Sequence, residues 1–330
     1  MFEELGKTVS SDDRDWAGQD KIPIDETSRA KAQCGPSTFS QDLARHILWM
    51  SFTGCPDSQT RKAEAVRTDA SMLALARLGL RRRTIRARLR ARSLIGQYPA
   101  LYLPLARWKR RRYLRYARRC GIPPNAMGPV FRDTDAVIEG FPRSANTFAA
   151  TAFEFAQPRS VRVARHLHVP SQIIGGAKLG IPTVVLVRDP EDAVLSLSLW
   201  TPHVTLEDGL RDYIRFHRRI LPYRDRFVVA TFEEVSTDFG EVIRRLNERF
   251  GSSFQEFQHT EANVALCFKI IEEHDRRTTG EVVERTVARP SQQRERMKNE
   301  LRSAFRSPKL ARTRADAYKI YETLTFKGPS

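Results

Sequence analysis

A chain of 330 residues, of which 41% are hydrophobic, is long enough to bury one large core or two smaller ones. Its formal net charge of +17 is uneven, because residues 71–120 contain 16 Lys or Arg and no Asp or Glu. The four scattered cysteines argue against a disulfide framework or a structural zinc site, and they fit a reducing compartment.

Residues 1–70 are polar, with few apolar side chains, and they predict a partly disordered leader. Glu3 and Glu4 stand where a secretory signal would be basic, and no apolar stretch follows them. The longest uncharged stretch, 93–106, is too short to span a bilayer. These features predict a cytoplasmic protein, with peripheral contact at the inner face of the membrane left open.

Residues 71–129 are predicted to form a basic helical extension. Leucine and isoleucine recur near helical spacing between residues 75 and 89, and a second basic cluster with interleaved aromatic residues begins at Arg107. Such a segment fits solvated helices packed on the main domain, or contact with an anionic membrane, an acidic glycan or another polyanion. We expect no recognition of a specific nucleic acid.

From residue 130 to residue 330, short apolar runs alternate with helical patterns. Strands are predicted at 136–138, 161–163, 183–187 and 227–231, and helices at 147–155, 170–179, 190–200 and 239–250. Strands that recur with intervening helices predict an α/β fold with a parallel sheet and helices on both faces. Ligands on such sheets lie at the carboxyl ends of the strands.

Polar residues follow three of the predicted strands. The first strand leads into a helix start that carries one arginine and several short polar side chains: Arg143, Ser144, Asn146 and Thr147. Free N–H groups and the helix dipole favour an anion at such a position. The second strand is followed by His166 and His168. Arg188 follows the third strand, and Ser196 lies about two helical turns further on, so both side chains could contact one anion. The pattern predicts two separate anion seats, suited to a nucleotide with phosphates at both ends of its ribose.

These segments resemble those of sulfotransferases that use 3′-phosphoadenosine 5′-phosphosulfate (PAPS). Gly140–Phe148 is similar to their 5′-phosphosulfate loop, and Val187–Ser196 is similar to their 3′-phosphate motif. His168–Pro170 resembles the segment with their catalytic histidine, and Thr231–Val235 resembles an acidic segment whose aromatic residue lies near the adenine. The four segments occur in the family's order. The resemblance implies a P-loop-like three-layer sandwich of the bacterial sulfotransferase type.

The resemblance also implies roles for the matching residues. The 5′ end of the donor would contact Arg143, Ser144, Ala145, Asn146, Thr147 and Phe148, its 3′-phosphate would contact Arg188 and Ser196, and its adenine would lie near Phe232. Arg143, in place of the more usual lysine, would stabilise charge on the leaving phosphate. His168 would take the proton from an acceptor hydroxyl, because imidazole titrates near neutral pH. No metal would be required, and the basic extension favours a carbohydrate or glycolipid acceptor.

Three departures from the family pattern concern single positions. Ala145 stands where the family often has glycine, and alanine does not easily adopt a positive φ. His166 lies on the same side of the extended segment as His168 and is the alternative base. The family's C-terminal basic segment has no clear counterpart, and residues 288–291 with Arg294 and Lys298 are the nearest substitute.

Two other functions are alternatives to sulfuryl transfer. A small-molecule kinase of the P-loop type is disfavoured because the loop lacks the second glycine and the lysine of G-x-x-x-x-G-K-[ST]. The third strand also ends in Arg188 before Asp189, rather than in an acidic magnesium ligand. The second alternative is a polyanion- or membrane-binding protein whose α/β domain is a non-catalytic scaffold.

Overall fold

The computed structural model describes residues 84–85, 87–121, 128–201 and 203–326. The predictions for the leader at 1–70 and for the first part of the basic extension lie outside these residues. Within these ranges, no helix combines the length and the apolar character needed to cross a membrane.

The strands and helices are as follows. Strands are β1 (Ala136–Gly140), β2 (Val163–Ala164), β3 (Thr183–Val187) and β4 (Val228–Thr231). A helical stretch at 87–95 precedes α1 (Pro99–Arg119), and the later helices are α2 (Asn146–Ala156), α3 (Pro170–Leu179), α4 (Pro190–Trp200), α5 (Leu206–Ile220), α6 (Phe232–Thr237), α7 (Phe239–Phe250), α8 (Glu261–Thr279), α9 (Gln292–Phe305) and α10 (Ala311–Thr325). Short 3₁₀ helices occupy Leu221–Arg226 and Pro308–Leu310.

The four strands form one sheet in the order β2-β1-β3-β4, and every neighbouring pair is parallel. Helices connect each strand to the next, so the carboxyl ends of the strands meet at one edge. The predicted α/β fold with a parallel sheet is confirmed. The continuous apolar run at Thr183–Val187 forms β3 with the predicted boundaries, as expected for a strand buried on both faces.

Successive residues of the strands point to different cores. Leu186 packs in a cluster with Phe153 of α2 and with residues of α7 and α8. The neighbouring Val185 packs on the other side with Tyr213 of α5 and with residues of α4 and α10. Helices therefore cover both faces of the sheet and leave its edge of strand ends for a site.

The described part of the basic extension is packed on the α/β domain. Leu103 of α1 is buried with residues of β1 and β2. Tyr102 and Ala106 of the same helix are buried against Leu167 and Val169. These contacts attach α1 directly to the segment that carries His168.

Candidate functional site

The loop from β1 to α2 begins with a close approach between strands. A Cβ atom on Gly140 would lie 2.3 Å from the carbonyl oxygen of Leu186, so only glycine fits beside β3 at this point. Arg143 (φ 70°) and Ala145 (φ 64°) then adopt left-handed backbone conformations. Ala145 thus adopts the positive φ that glycine adopts more easily, at a cost of about 1–2 kcal/mol for an L-residue.

The start of α2 presents polar groups that have no protein partner. The first intrahelical bond runs from Ala149 N–H to Ala145 O (2.9 Å), so the N–H groups of the three preceding residues have no acceptor within the helix. Ser144 is 0% exposed, and within the described part of the chain its Oγ has no hydrogen-bond partner. Asn146 donates from Nδ2 to Phe141 O (2.9 Å), while its buried Oδ1 has no partner there. An orphaned buried hydroxyl is costly, which points to a ligand at this helix start.

Thr147 and Phe148 differ in what they offer to a ligand. Thr147 is half-buried at the helix start. Phe148 is a core residue, because its ring lies 5.3 Å from that of Phe268 and 6.2 Å from that of Phe257. Only the backbone N–H of Phe148 is therefore available to a ligand.

The Arg143 side chain crosses from the β1–α2 loop towards α4. Its Nε donates to Ser196 Oγ (3.0 Å), and its Nη atoms donate to the carbonyls of Thr286 (3.1 Å) and Val287 (3.5 Å). Arg188 in turn donates to Arg143 O (3.0 Å). The two anion-binding positions predicted from the sequence are therefore adjacent, because Arg143 bonds to both Ser196 and Arg188.

Arg188 is held between an acid and an aromatic ring. Its Nη2 donates to Asp192 Oδ2 (3.3 Å), and its guanidinium lies 3.9 Å from the centroid of the Phe232 ring. Tyr213 Oη donates to Arg188 O (2.7 Å) and fixes the strand end. The buried Nε of Arg188 has no partner among the described residues. Arg188 therefore keeps one oriented donor for a further acceptor.

A third arginine, Arg294 of α9, joins the cluster. It is 9% exposed, and it donates to the carbonyls of Val287 (2.8 Å) and Glu284 (3.0 Å). Two other residues of the substitute segment have carboxylate partners instead, because Arg289 pairs with Glu284 and Lys298 pairs with Asp192 (2.9 Å). Arg294 shares the carbonyl of Val287 with Arg143, and Lys298 contacts Asp192, which also accepts from Arg188.

The three arginines repel one another. The pKa of Arg143 is lowered to about 9, mainly by burial and then by the charges of Arg294 and Arg188. Burial is also the main cause of the lowered pKa of Arg188 and of Arg294. The charge of Asp275 partly opposes this effect at Arg143 and that of Glu284 partly opposes it at Arg294, but among the described residues no carboxylate lies within ion-pair distance of either guanidinium group. An anion placed among these guanidinium groups would relieve the repulsion.

Glu139, a residue that the sequence reasoning missed, positions His168. Glu139 is fully buried in β1, and its Oε2 accepts from Leu167 N–H (2.8 Å) while its Oε1 accepts from Gly140 N–H (3.1 Å). His168 Nδ1 lies 3.2 Å from Glu139 Oε1 and 3.1 Å from Gly140 O. Both partners are acceptors, so Nδ1 carries the hydrogen and Nε2 is the proton acceptor of the neutral ring. The available signal was a carboxylate inside an apolar strand, which is rarely buried without a partner.

His166 has a different environment from His168. Burial lowers the pKa of His166 well below its usual value, and the neighbouring Arg165 and His168 lower it further. The ring centroids of the two histidines are 5.8 Å apart. His166 is therefore neutral at physiological pH.

Backbone strain is concentrated at this edge of the sheet. Four non-glycine residues in the described ranges have positive φ: Arg143, Ala145, His166 and His168. Such conformations are unfavourable for residues with a Cβ, and they cluster at binding and catalytic sites. The strain falls on the same residues that the sequence predicted for the site.

No protein-family model matches this chain, and a search of curated proteins found no match either. Its function is therefore inferred from the geometry of this site, and the likeness to sulfotransferases stays a prediction.

Proposed function

We propose that this chain is a PAPS-dependent sulfotransferase that transfers a sulfuryl group to an acceptor hydroxyl. The observation that carries the proposal is one edge of the sheet where Arg143, Arg188 and Arg294 converge beside a histidine oriented by a buried glutamate. We also propose that the α/β fold is a P-loop-like three-layer sandwich and that the protein is cytoplasmic.

The residues present fit a nucleotide with two separated phosphate groups. The orphaned Ser144 Oγ and the N–H groups at the start of α2 would bind the 5′ end. The Ser196 hydroxyl accepts from Arg143, which leaves its hydrogen for a phosphate oxygen. Arg188 would bind the 3′-phosphate through its remaining donor, and Phe232 would flank the adenine.

His168 and Arg143 would divide the chemistry of transfer. Nε2 of His168 accepts the proton of the acceptor hydroxyl, whose oxygen forms a bond to sulfur as the bond between sulfur and the bridging phosphate oxygen breaks. Arg143 and the N–H groups of α2 stabilise the negative charge on that departing oxygen. Glu139 holds Nδ1 and stabilises the imidazolium. This support favours His168 over His166 as the base, and the scheme uses no metal.

The acceptor proposed here is a carbohydrate or glycolipid hydroxyl. The basic residues of α1 would attract an acidic acceptor by long-range electrostatics, which raises its local concentration. The acceptor class is tested by measuring transfer of label from PAPS to neutral sugars, acidic glycans and glycolipids in parallel assays.

Binding of the desulfated product nucleotide, measured by calorimetry with the full chain, tests the donor site. Arg188→Ala should weaken binding about 10- to 100-fold, because a hydrogen bond between charged groups is lost. Binding of an analogue without the 3′-phosphate should change little. Arg314→Ala, which removes an arginine bonded to Phe305 O away from the site, is the matched control.

Several outcomes would contradict the proposal. Failure of the folded protein to bind the product nucleotide at millimolar concentration would refute a PAPS site. Equal losses for both nucleotides would remove the 3′-phosphate role of Arg188. Magnesium-dependent ATP hydrolysis without transfer from PAPS would favour the kinase alternative. Transfer that persists unchanged in His168→Ala would exclude His168 as the base.

A further inference from the structure

Exposed apolar side chains are concentrated in one short stretch of the basic extension. Among the described residues ten large hydrophobic side chains are exposed, and six of them lie between residues 94 and 108. They are Leu94, Ile95, Tyr98, Leu101, Leu105 and Trp108, and they are called the apolar face below. Leu101 is 64% exposed and Trp108 is 49% exposed. The apolar face is therefore a cluster, unlike the single exposed apolar residues that are common on protein surfaces.

The opposite side of the same helix is fixed to the domain. Tyr102, Leu103 and Ala106 of α1 are buried, so the helix cannot rotate to hide its apolar face without losing these contacts. The turn before α1 is also pinned, because Ser171 Oγ donates to Gly96 O (2.6 Å). The outward direction of the apolar face is therefore set by packing.

A row of arginines continues the apolar face along α1. Tyr98, Leu101, Leu105 and Trp108 follow the 3,4 spacing of one helical side, and the next positions in that row are Arg112, Arg115 and Arg119. These three arginines are called the basic face below. The Arg112 guanidinium lies 4.8 Å from the Trp108 ring centroid, so the two faces meet. Residues 84–121 contain no Asp or Glu that would offset this charge.

We propose that the apolar face and the basic face together dock on an anionic membrane surface. Leucine side chains can enter the boundary of the acyl chains while arginines contact lipid phosphates. Tyrosine and tryptophan favour this interface because one end of each ring system is polar. Single-stranded nucleic acid would use the cations and the aromatic rings, but it gives no role to Leu101 and Leu105. The inference goes beyond sulfuryl transfer and does not depend on it.

Co-sedimentation of the full chain with lipid vesicles tests this inference. The protein should bind vesicles that contain phosphatidylserine more tightly than vesicles of phosphatidylcholine alone, and added salt should weaken the difference. Combining Leu101→Gln, Leu105→Gln and Trp108→Gln should lower the partition coefficient by about tenfold or more, since their apolar surface would stay in water. These side chains are exposed, so the fold should tolerate the changes.

Matched variants separate the two faces. Combining Arg112→Gln, Arg115→Gln and Arg119→Gln should lower binding to phosphatidylserine vesicles by about fivefold per cation, with little change on phosphatidylcholine. Leu179→Gln with Phe326→Gln alters two other exposed apolar residues (41% and 70%) and should leave vesicle binding unchanged. Product-nucleotide binding should be the same in all variants, which separates this test from that of the donor site.

Three results would overturn the inference. One is failure of the wild-type chain to bind phosphatidylserine vesicles, including the case in which it binds heparin instead. Another is an unchanged partition coefficient in the apolar-face variant. The third is a change from oligomer to monomer in that variant without lipid, which would assign the apolar face to contact between copies of the chain.

Discussion

The carboxylate of Glu139 offers the sharpest test of the proposed chemistry, through Glu139→Gln. Its two oxygens accept from Leu167 N–H, from Gly140 N–H and from His168 Nδ1, at 2.8–3.2 Å. Glutamine has one acceptor oxygen and one amide NH₂ group of nearly the same size. Whichever way the amide is placed, at least one buried donor faces another donor.

The less costly orientation keeps the amide oxygen at the Oε1 position and sacrifices the bond from Leu167 N–H. That orientation should destabilise the fold by about 1–3 kcal/mol, the cost of one unsatisfied buried group. His168 Nδ1 still donates to Gly140 O at 3.1 Å, so the tautomer is retained. Loss of the carboxylate charge beside the developing imidazolium should lower kcat by about tenfold.

Three measurements separate positioning from general damage. Urea unfolding gives the stability loss, calorimetry gives the affinity for the product nucleotide, and single-turnover transfer from labelled PAPS gives the chemical step. Only the last should fall by about tenfold. Glu154→Gln is the control, because Glu154 pairs with Arg165 (3.0 Å) at the neighbouring strand end. That variant should transfer sulfate at the wild-type rate.

A double-mutant cycle with His168→Ala decides whether Glu139 acts through His168. If it does, Glu139→Gln has little further effect on the residual rate of His168→Ala. The same tenfold loss in both backgrounds would refute the reasoning, and so would a parallel loss of nucleotide affinity.

Three further predictions concern stability, and urea unfolding checks each. Ala145→Gly should stabilise the fold by about 0.5–1 kcal/mol because it relieves a positive φ, whereas Ala149→Gly inside α2 should destabilise it; similar losses in both would contradict the strain assignment. Gly140→Ala should destabilise by about 1–3 kcal/mol or more, because its Cβ would meet Leu186 O at 2.3 Å; a neutral result would refute the close approach. Burial lowers the pKa of His217 to about 4, so the unfolded chain takes up this proton first and stability should fall by up to about 3 kcal/mol between pH 6.5 and 4. His217→Asn should remove this contribution and keep the one that the lowered pKa of His166 causes, and an unchanged decline would assign the effect to other groups.

The sheet and most of its helices could be predicted because their signals are local. A continuous apolar run predicted Thr183–Val187, and an Asp-Pro helix start predicted Pro190–Trp200, where the Asp189 side chain caps the helix by accepting from Asp192 N–H. Glycine after a periodic stretch predicted the end of the helix at Phe250, which the left-handed Gly251 confirms. Such signals lie within a few residues, so tertiary contacts do not override them.

The site could be predicted only in part, because its contacts join residues far apart in sequence. Arg143 and Ser196 were assigned to different anion seats, yet their side chains bond across 53 positions. Glu139 follows the strand predicted at 136–138 and received no role, since nothing local shows that Leu167 N–H and His168 Nδ1 lie beside it. The approach of Arg294 depends on the path of the whole chain from α8 to α9.

The backbone carbonyls that hold Arg143 and Arg294 affect how an anion would enter. Thr286 O and Val287 O are uncharged acceptors. They fix the positions of the two guanidinium groups but carry no negative charge that would neutralise them. An arriving polyanion would break no ion pair at either group and would require little reorganisation. The repulsion among the cations is already part of the folded state, and its relief would add to the binding free energy. Anion binding should therefore raise the melting temperature more than its direct contacts alone would predict.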